Sequence, residues 1–292
     1  MNLLTTLKFI ARHPLNKGSE MKALARFVRW QISTRLTPYP IIYSFTNKAK
    51  LVVQKGVCGA TGNFYCGLYE FNDMSFLLHF LRKGDLFVDV GANIGSYTVL
   101  SAAHIEAETV AVEPVPSTYE RLLFNIQLNQ VNGRVNAINT ALGSTAGKLH
   151  FTSKLGASNH VSIGNDRDQI EVNVDTLDNV LEGRSPVLLK VDVEGFETEV
   201  MRGAHLTLEK ETLKAIIIEL AGLGNRYGFD ERKVHDLLIQ HNFQPYTYDP
   251  LLRKLTHCRS YDLHNTIYVR DAQFVKERVS TAEKVRIRNK LV

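Results

Sequence analysis

From residue 85 onward the chain alternates short β-branched runs with segments of helical spacing, and this alternation constrains its fold more than any other feature. The runs are LFVDVGA (86–92), TVAVEP (109–114), VNAINTALG (135–143), VLLKVDVEG (187–195) and KAIIIEL (214–220). Helices are expected from about Gly95 to His104, from Pro116 onward, from about Phe196 to Gly203 and over 230–242. In the Pro116 helix, Tyr119, Leu122, Leu123 and Ile126 share one face. QPYTYD (244–249) and NTIYVRD (265–271) add two last strands, and KLHFTS (148–153), HVSIG (160–164) and IEVNVDTL (170–177) are strand-like pieces in an irregular stretch. Continuously apolar strands need cover on both faces, which crossover helices supply. The expected architecture is therefore α/β, a mostly parallel, doubly wound sheet.

Ahead of this pattern, residues 19–36 read as an amphipathic helix. Ser19 stands at its N-cap, Met21, Leu24, Ala25, Val28 and Ile32 line the face expected to be apolar, and Lys22, Arg26 and Arg29 form a basic face beside Trp30. Pro38 and Pro40 end it. Residues 49–71 alternate apolar and polar residues around a glycine-rich turn, which predicts a β-hairpin leading into the main domain. The expected division is a basic helical arm over 1–48, one domain over 49–271, and a basic, helical, peripheral tail over 272–292.

Charge follows the same division. Residues 1–55 hold ten Lys/Arg and one acid, a net +9; residues 274–292 carry +4; the stretch between carries −8. Basic ends around an acidic middle suit a solvated arm or a contact with something anionic, such as lipid headgroups. With 44% hydrophobic and 22% charged residues, collagen-like, disulfide-rich and disordered classes are excluded. No run approaches the ~18 apolar residues of a membrane span, and MNLLTTLKFI does not read as a secretory signal. Cys58, Cys66 and Cys258 are odd in number and lack metal-ligand spacing. The expected setting is cytoplasmic, with peripheral contact to an anionic membrane through the arm.

In an open α/β sheet, ligands bind beyond the carboxyl ends of the strands. After the first run stand Asp89, Gly91, Asn93 and Gly95; Gly91 allows a sharp turn, and Gly95 allows a helix to start close to a ligand. A nicotinamide site would want G-x-G-x-x-G, and Asn93 occupies the second glycine's place. Asp89 suits a ligand with a positive centre better than a pyrophosphate. Glu113 ends the second run 22 residues after Gly91, where a carboxylate can accept two hydrogen bonds from a ribose diol. Its removal is expected to weaken cofactor binding while leaving the ligand-free protein's stability unchanged. In KVDVEGFE, Lys190, Asp192 and Glu194 crowd one strand end, a costly arrangement without partners. Glu219 ends the next apolar run, and His160 lies in the irregular stretch. These acids and His160 are the candidate bases. Asp192 and Glu194 offer oxygen ligands to Mg²⁺, but no dense carboxylate cluster or His/Cys set is visible, so no metal is expected. Nucleic acid is disfavoured as a partner by the lack of an aromatic-interleaved basic groove.

FVDVGANIGSYTVL, EPVPSTYERLLFNIQLNQ, INTALGS, LLKVDVEGFETEVMRGA and NTIYV occur in this order. Over about residues 70–270 the chain resembles the FkbM family of S-adenosylmethionine-dependent methyltransferases, with KVDVEGFE the most distinctive motif. The resemblance implies a Rossmann-like class I methyltransferase fold of seven strands, the last antiparallel beside the sixth. It implies S-adenosylmethionine as cofactor and O-methylation of a sugar, glycan, lipid-linked sugar or secondary metabolite bearing a free hydroxyl. It places Asp89, Gly91, Asn93 and Gly95 on the cofactor loop, Glu113 on the ribose, and Ala141 and Leu142 at the adenine. Residues between Ser153 and Gly164 vary in such proteins. A nicotinamide-dependent oxidoreductase or epimerase, and a non-catalytic protein retaining the fold, are the alternatives.

Overall fold

The structure is a computed structural model describing residues 3–37, 39–164, 166–262 and 264–292. Two helices, α1 (Leu3–Arg12) and α2 (Glu20–Leu36), precede strands β1 (Ile41–Ser44) and β2 (Lys50–Val53) and helices α3 (Cys58–Cys66) and α4 (Phe71–Phe80). The alternating region follows: β3 (Leu86–Val90), α5 (Ser96–Val99) continued by a π turn over Leu100–Ile105, β4 (Glu108–Val112), α6 (Pro116–Leu128) and β5 (Val135–Ile138). Next come β6 (Ala141–Leu142), β7 (Gly147–Thr152), β8 (Gln169–Asp175), α7 (Leu177–Leu181), β9 (Leu188–Val191), α8 (Glu197–Arg202) and α9 (His205–Glu209). The chain continues with β10 (Ala215–Glu219), α10 (Arg232–Gln240), β11 (Gln244–Asp249), β12 (Lys254–His257), β13 (Asn265–Val269), α11 (Ala272–Thr281), β14 (Arg286–Ile287) and β15 (Lys290–Leu291).

The main sheet runs β12-β11-β13-β10-β9-β3-β4-β5. β3, β4, β5, β9 and β10 pair in parallel, and β13 lies antiparallel between β10 and β11. The order is that of the class I methyltransferase fold, with the last long strand inserted beside the sixth. Eight strands stand where seven are expected, because β12 folds back on β11 as an antiparallel edge. Alternate side chains fill two layers. Phe87, Leu188, Ala215, Ile217 and Val269 pack with α4 and α11 on one face. Val88, Val110, Leu189, Val191, Ile216 and Ile218 pack with α7 to α10 on the other.

Several expectations are corrected. The hairpin is β1–β2 rather than 49–71, and residues 58–66 are helical. Two glycines should disfavour that helix, but a Cβ at Gly62 would stand 2.5 Å from the Tyr69 ring, so close packing selects glycine there. The third run breaks into β5 and β6 because Asn139 turns aside to donate to the Glu113 and Pro114 carbonyls. α2 exists as expected, with Pro38 outside the described residues. Its buried face, however, is Ala23, Phe27, Trp30 and Thr34, and Met21, Val28 and Ile32 are exposed. Both faces are apolar, so periodicity alone does not decide which packs.

The tail is neither wholly helical nor peripheral. Val275, Val279, Val285, Ile287 and Val292 are buried, and residues 286–291 form a small two-stranded ribbon. Its cations act inside the fold. Arg288 donates to the carbonyls of Asn63, Phe64 and Tyr65, and Arg26 adds a bond of 2.6 Å to the last of these. Those are last-turn carbonyls of α3; the Asn63 carbonyl also accepts from the Gly67 N–H at 2.7 Å, and the ones after it lie where a helix leaves carbonyls to outside partners. Lys290 Nζ donates to Pro14 and Lys17. Among the described residues no helix is long and apolar enough to cross a membrane.

Candidate active site

The turn after β3 is closed by the Gly91 and Ala92 N–H groups, both donating to the Val112 carbonyl at 3.0 and 2.9 Å. Gly91 has φ +77°, and a Cβ there would run into the Asp192 carbonyl beyond β9. Asn93 also takes a left-handed conformation (φ +52°), and its Oδ1 accepts from the Ile94 N–H at 2.8 Å. Gly95 lines neither cleft described below. Its missing Cβ lets Leu122 of α6 pack against the start of α5, since a Cβ would sit 2.5 Å from Leu122 Cδ1.

Glu113 holds this turn from beneath. One carboxylate oxygen accepts from the Asn93 N–H at 2.9 Å and the other from the Val115 N–H at 3.0 Å. Only 6% of the residue is exposed, and burial pushes its carboxyl up to about 7 against the pull of those two N–H groups. Two further lone pairs are left for a ligand, and Glu113 lines a cleft with Ala141, Leu142, Thr118 and Phe196. The expected independence of stability from this residue is therefore revised. Glu113→Ala leaves the buried Val115 N–H and the half-buried Asn93 N–H without their acceptor, the buried one at a cost of about 1–3 kcal/mol. It should lower the urea-unfolding free energy of the ligand-free protein by ~2 kcal/mol or more, and Glu113→Gln by less. An unchanged midpoint in the alanine variant would show that the turn holds itself.

A second cleft, of about 610 Å³, meets the first at Gly91, Asn93, Ala157, Asp192 and Glu194. Adjacent β9 and β10 deliver its acids. The carboxylate oxygens of Asp192, Glu194 and Glu219 lie within 4.8 Å of one another. Lys190, buried beneath them, donates to Asp192 at 2.7 Å and lies 4.7 Å from the centre of the Tyr97 ring. Burial opposes the Lys190 charge, but Asp192, Glu70 and Asp89 outweigh it and hold the ammonium protonated. Glu194 is pushed up to about 7 by burial and then by Asp192; Glu219 is pushed up to about 8 by burial, Asp192, Glu194 and Glu197. Asp89 faces the same cleft, accepts from Thr98 Oγ1 at 2.7 Å, and is raised by burial.

His160 stands apart from this group. Its ring lies against the Ser158 carbonyl at 2.9 Å and lines neither cleft. Reading the sequence misses Glu70 and Tyr97, which line the cleft, and Asp73 and Asn265, which are tied to Glu70 by hydrogen bonding. Asn265 Nδ2 donates to Glu70 at 3.1 Å and to Asp73 at 3.3 Å, and the Tyr97 hydroxyl donates to Glu70 at 2.7 Å. Burial and then Glu70 push Asp73 up to about 7. Acids three apart at the start of α4 resemble ordinary helix-dipole partners, so little in the sequence marks them.

Asp192 and Glu194 alone do not suggest a metal, but the fold adds Glu219, and the three are close enough to hold one cation. The wider arrangement suits a cationic ligand. Acids raised by crowding and desolvation gain from a positive charge placed among them, and the glycine turn leaves the strand ends open beside Glu113.

A family model for the methyltransferase FkbM domain matches residues 89–245, more than half of the chain. The chain belongs to the FkbM methyltransferase family. The FkbM match takes in the glycine turn, Glu113 and all three clustered acids, whereas α1 and α3, which help line the second cleft, lie outside it. The chain is 28% identical over 167 residues to the hexuronic acid methyltransferase AglP of Haloferax volcanii, covering 56% of this chain and 65% of that one. It is 28% identical over 169 residues to the methyltransferase sdnD of Sordaria araneosa, covering 46% and 65%. The chain thus spans just under two thirds of each of these relatives. A precorrin-8W decarboxylase structure from Methanobacterium thermoautotrophicum aligns with TM-score 0.40 and 16% identity, covering 68% of this chain and 89% of that one.

Proposed function

We propose that this protein transfers the methyl group of S-adenosylmethionine to a hydroxyl oxygen on a sugar, glycan or other small metabolite. The observation that carries the reading is the junction of the two clefts, where the glycine turn meets the clustered carboxylates. Glu113 would receive the ribose hydroxyls, Ala141 and Leu142 would pack on the adenine, and Asp89 would face the charged end of the cofactor. Bound in this way, the cofactor supplies a methyl group on a positively charged sulfur. The acceptor oxygen would form its bond to that carbon as the carbon–sulfur bond breaks, and the bonding pair would stay on sulfur.

This chain's own residues hold the acceptor and take its proton. A sugar hydroxyl is too weak an acid to ionise at neutral pH, so its proton must leave as the oxygen attacks. Asp192 is tied to Lys190, so the base falls to Glu194 or Glu219, raised to about 7 and about 8, so that the first ionises near neutral pH and the second just above it. Holding the reacting atoms in line supplies most of the remaining rate effect. The archaeal relative, named as a hexuronic acid methyltransferase, supports a sugar-like acceptor. The reading places the protein in the cytoplasm, in peripheral contact with a membrane. Calorimetric titration with S-adenosylhomocysteine, and separately with NAD, tests the cofactor. Binding of the first and silence with the second are expected, and the reverse would sink the reading.

A further inference from the structure

α2 is apolar on two opposite sides. One side is buried against Val53, Val57, Ala60 and Tyr65. The other carries Met21, Ala25, Val28, Ile32 and Leu36 at spacings of three and four. Met21 and Leu36 are each 78% exposed, Val28 50% and Ile32 54%. A surface helix ordinarily turns polar residues outward, and an exposed aliphatic row of this kind marks an interaction site. Leu3 and Leu4 at the start of α1 are exposed as well.

The charge on α1 and α2 is almost all of one sign. Lys8, Arg12, Lys22, Arg29 and Arg35 are all exposed on the same two helices. Glu20 is the only acid in the first 69 residues, and its carboxylate accepts from the Gly18 N–H at 2.8 Å. Exposed aliphatic side chains on two helices that carry many cations and a single acid complement an anionic lipid interface.

We propose that the outward face of α1 and α2 docks on an anionic bilayer, its aliphatic row entering the interface and its cations meeting the headgroups. The use of this docking rests on the methyl-transfer reading. Thr6, Phe9 and Ile10 of α1 line the second cleft, so the docked helix also walls that cleft, and an acceptor held at the bilayer would reach it without the protein leaving the surface.

Co-sedimentation of the full chain with phosphatidylcholine vesicles, with and without phosphatidylglycerol, tests the proposal at low and high salt. Binding only to the anionic vesicles, weakened by salt, is expected. The double variant Val28→Glu with Ile32→Glu, altered at exposed positions, should bind at least about tenfold more weakly. Its calorimetric affinity for S-adenosylhomocysteine should match the parent's, which excludes misfolding. Absence of parent binding to anionic vesicles at low salt overturns the proposal. So does a dimer in sedimentation velocity that the double variant dissociates, because a second copy would then cover the row. Failure to bind S-adenosylhomocysteine would sink methyl transfer and leave the vesicle result standing.

Discussion

Glu194→Gln and Glu219→Gln, made separately, should each keep S-adenosylhomocysteine affinity within a few fold, and at least one should lose ~10²–10⁴-fold in turnover, the usual worth of a positioned general base. Asp192→Asn should also slow the reaction, by removing the negative charge that the buried Lys190 ammonium is bonded to. The base must be ionised to act, so parent turnover should rise with pH through 7 to 8, the range to which burial and neighbouring acids lift Glu194 and Glu219. Stability should move the opposite way. A carboxyl raised from 4.5 to about 8 binds its proton more tightly in the folded state, so it supports folding at low pH and opposes it as pH climbs through that window. Glu219→Gln removes this opposition. It should melt ~2–4 °C above the parent at pH 8, the shift that about 1 kcal/mol produces in a chain of this size class, and the difference should vanish as pH falls below 4.5. Parent turnover in both glutamine variants would move the base elsewhere, with His160 next to test despite its distance from the cleft. Activity lost to a chelator and restored by Mg²⁺ would instead make these carboxylates metal ligands.

Gly91→Ala should be the most damaging single-methyl change in the domain. Its φ of +77° alone costs a non-glycine residue about 1–2 kcal/mol. The added Cβ would also strike the Asp192 carbonyl, a backbone atom fixed by the Asp192 N–H donating to Val90 at 3.1 Å. No side-chain rotation relieves that contact, so the ends of β3 and β9 must part where the two clefts meet. Gly56→Ala is the matched control, with φ +84° and nothing within 4 Å of the added Cβ. Urea unfolding should show about 1–2 kcal/mol lost in the control and more than ~3 kcal/mol in Gly91→Ala, whose affinity for S-adenosylhomocysteine should fall at least about a hundredfold. Equal losses in the two variants would mean that the conformation matters and the crowding does not.

What could be read from the residues follows from how local the signal is. The parallel strands are legible because β-branched runs flanked by helical spacing have few other uses, and Gly91, Asn93 and Glu113 because they sit at strand ends. Glu219 stands 25 residues beyond Glu194, and only the adjacency of β9 and β10 brings the two together. The buried side of α2 was not legible, since both sides are apolar and the partners that choose between them come from β2 and α3. The helix over residues 58–66 is hidden in the sequence because glycine spacing looks the same whether it serves a turn or a helix pressed against a tyrosine ring. Glu70 and Asp73 gave no sign because their neighbour Asn265 lies near the other end of the sequence.

The Arg288 clamp has a consequence for how the molecule is made. Its bond to the Phe64 carbonyl joins residues 224 apart in the chain, and Lys290 reaches Pro14 and Lys17 over still longer separations. During synthesis the strands from β3 to β10 can associate while later residues are still in the ribosome, but α1, α2 and α3 gain these ties to the tail only once residue 290 has emerged. The wall of the second cleft is therefore finished last. A nascent chain that already holds its glycine turn and its acids still lacks the enclosure that would keep water and stray hydroxyls away from them.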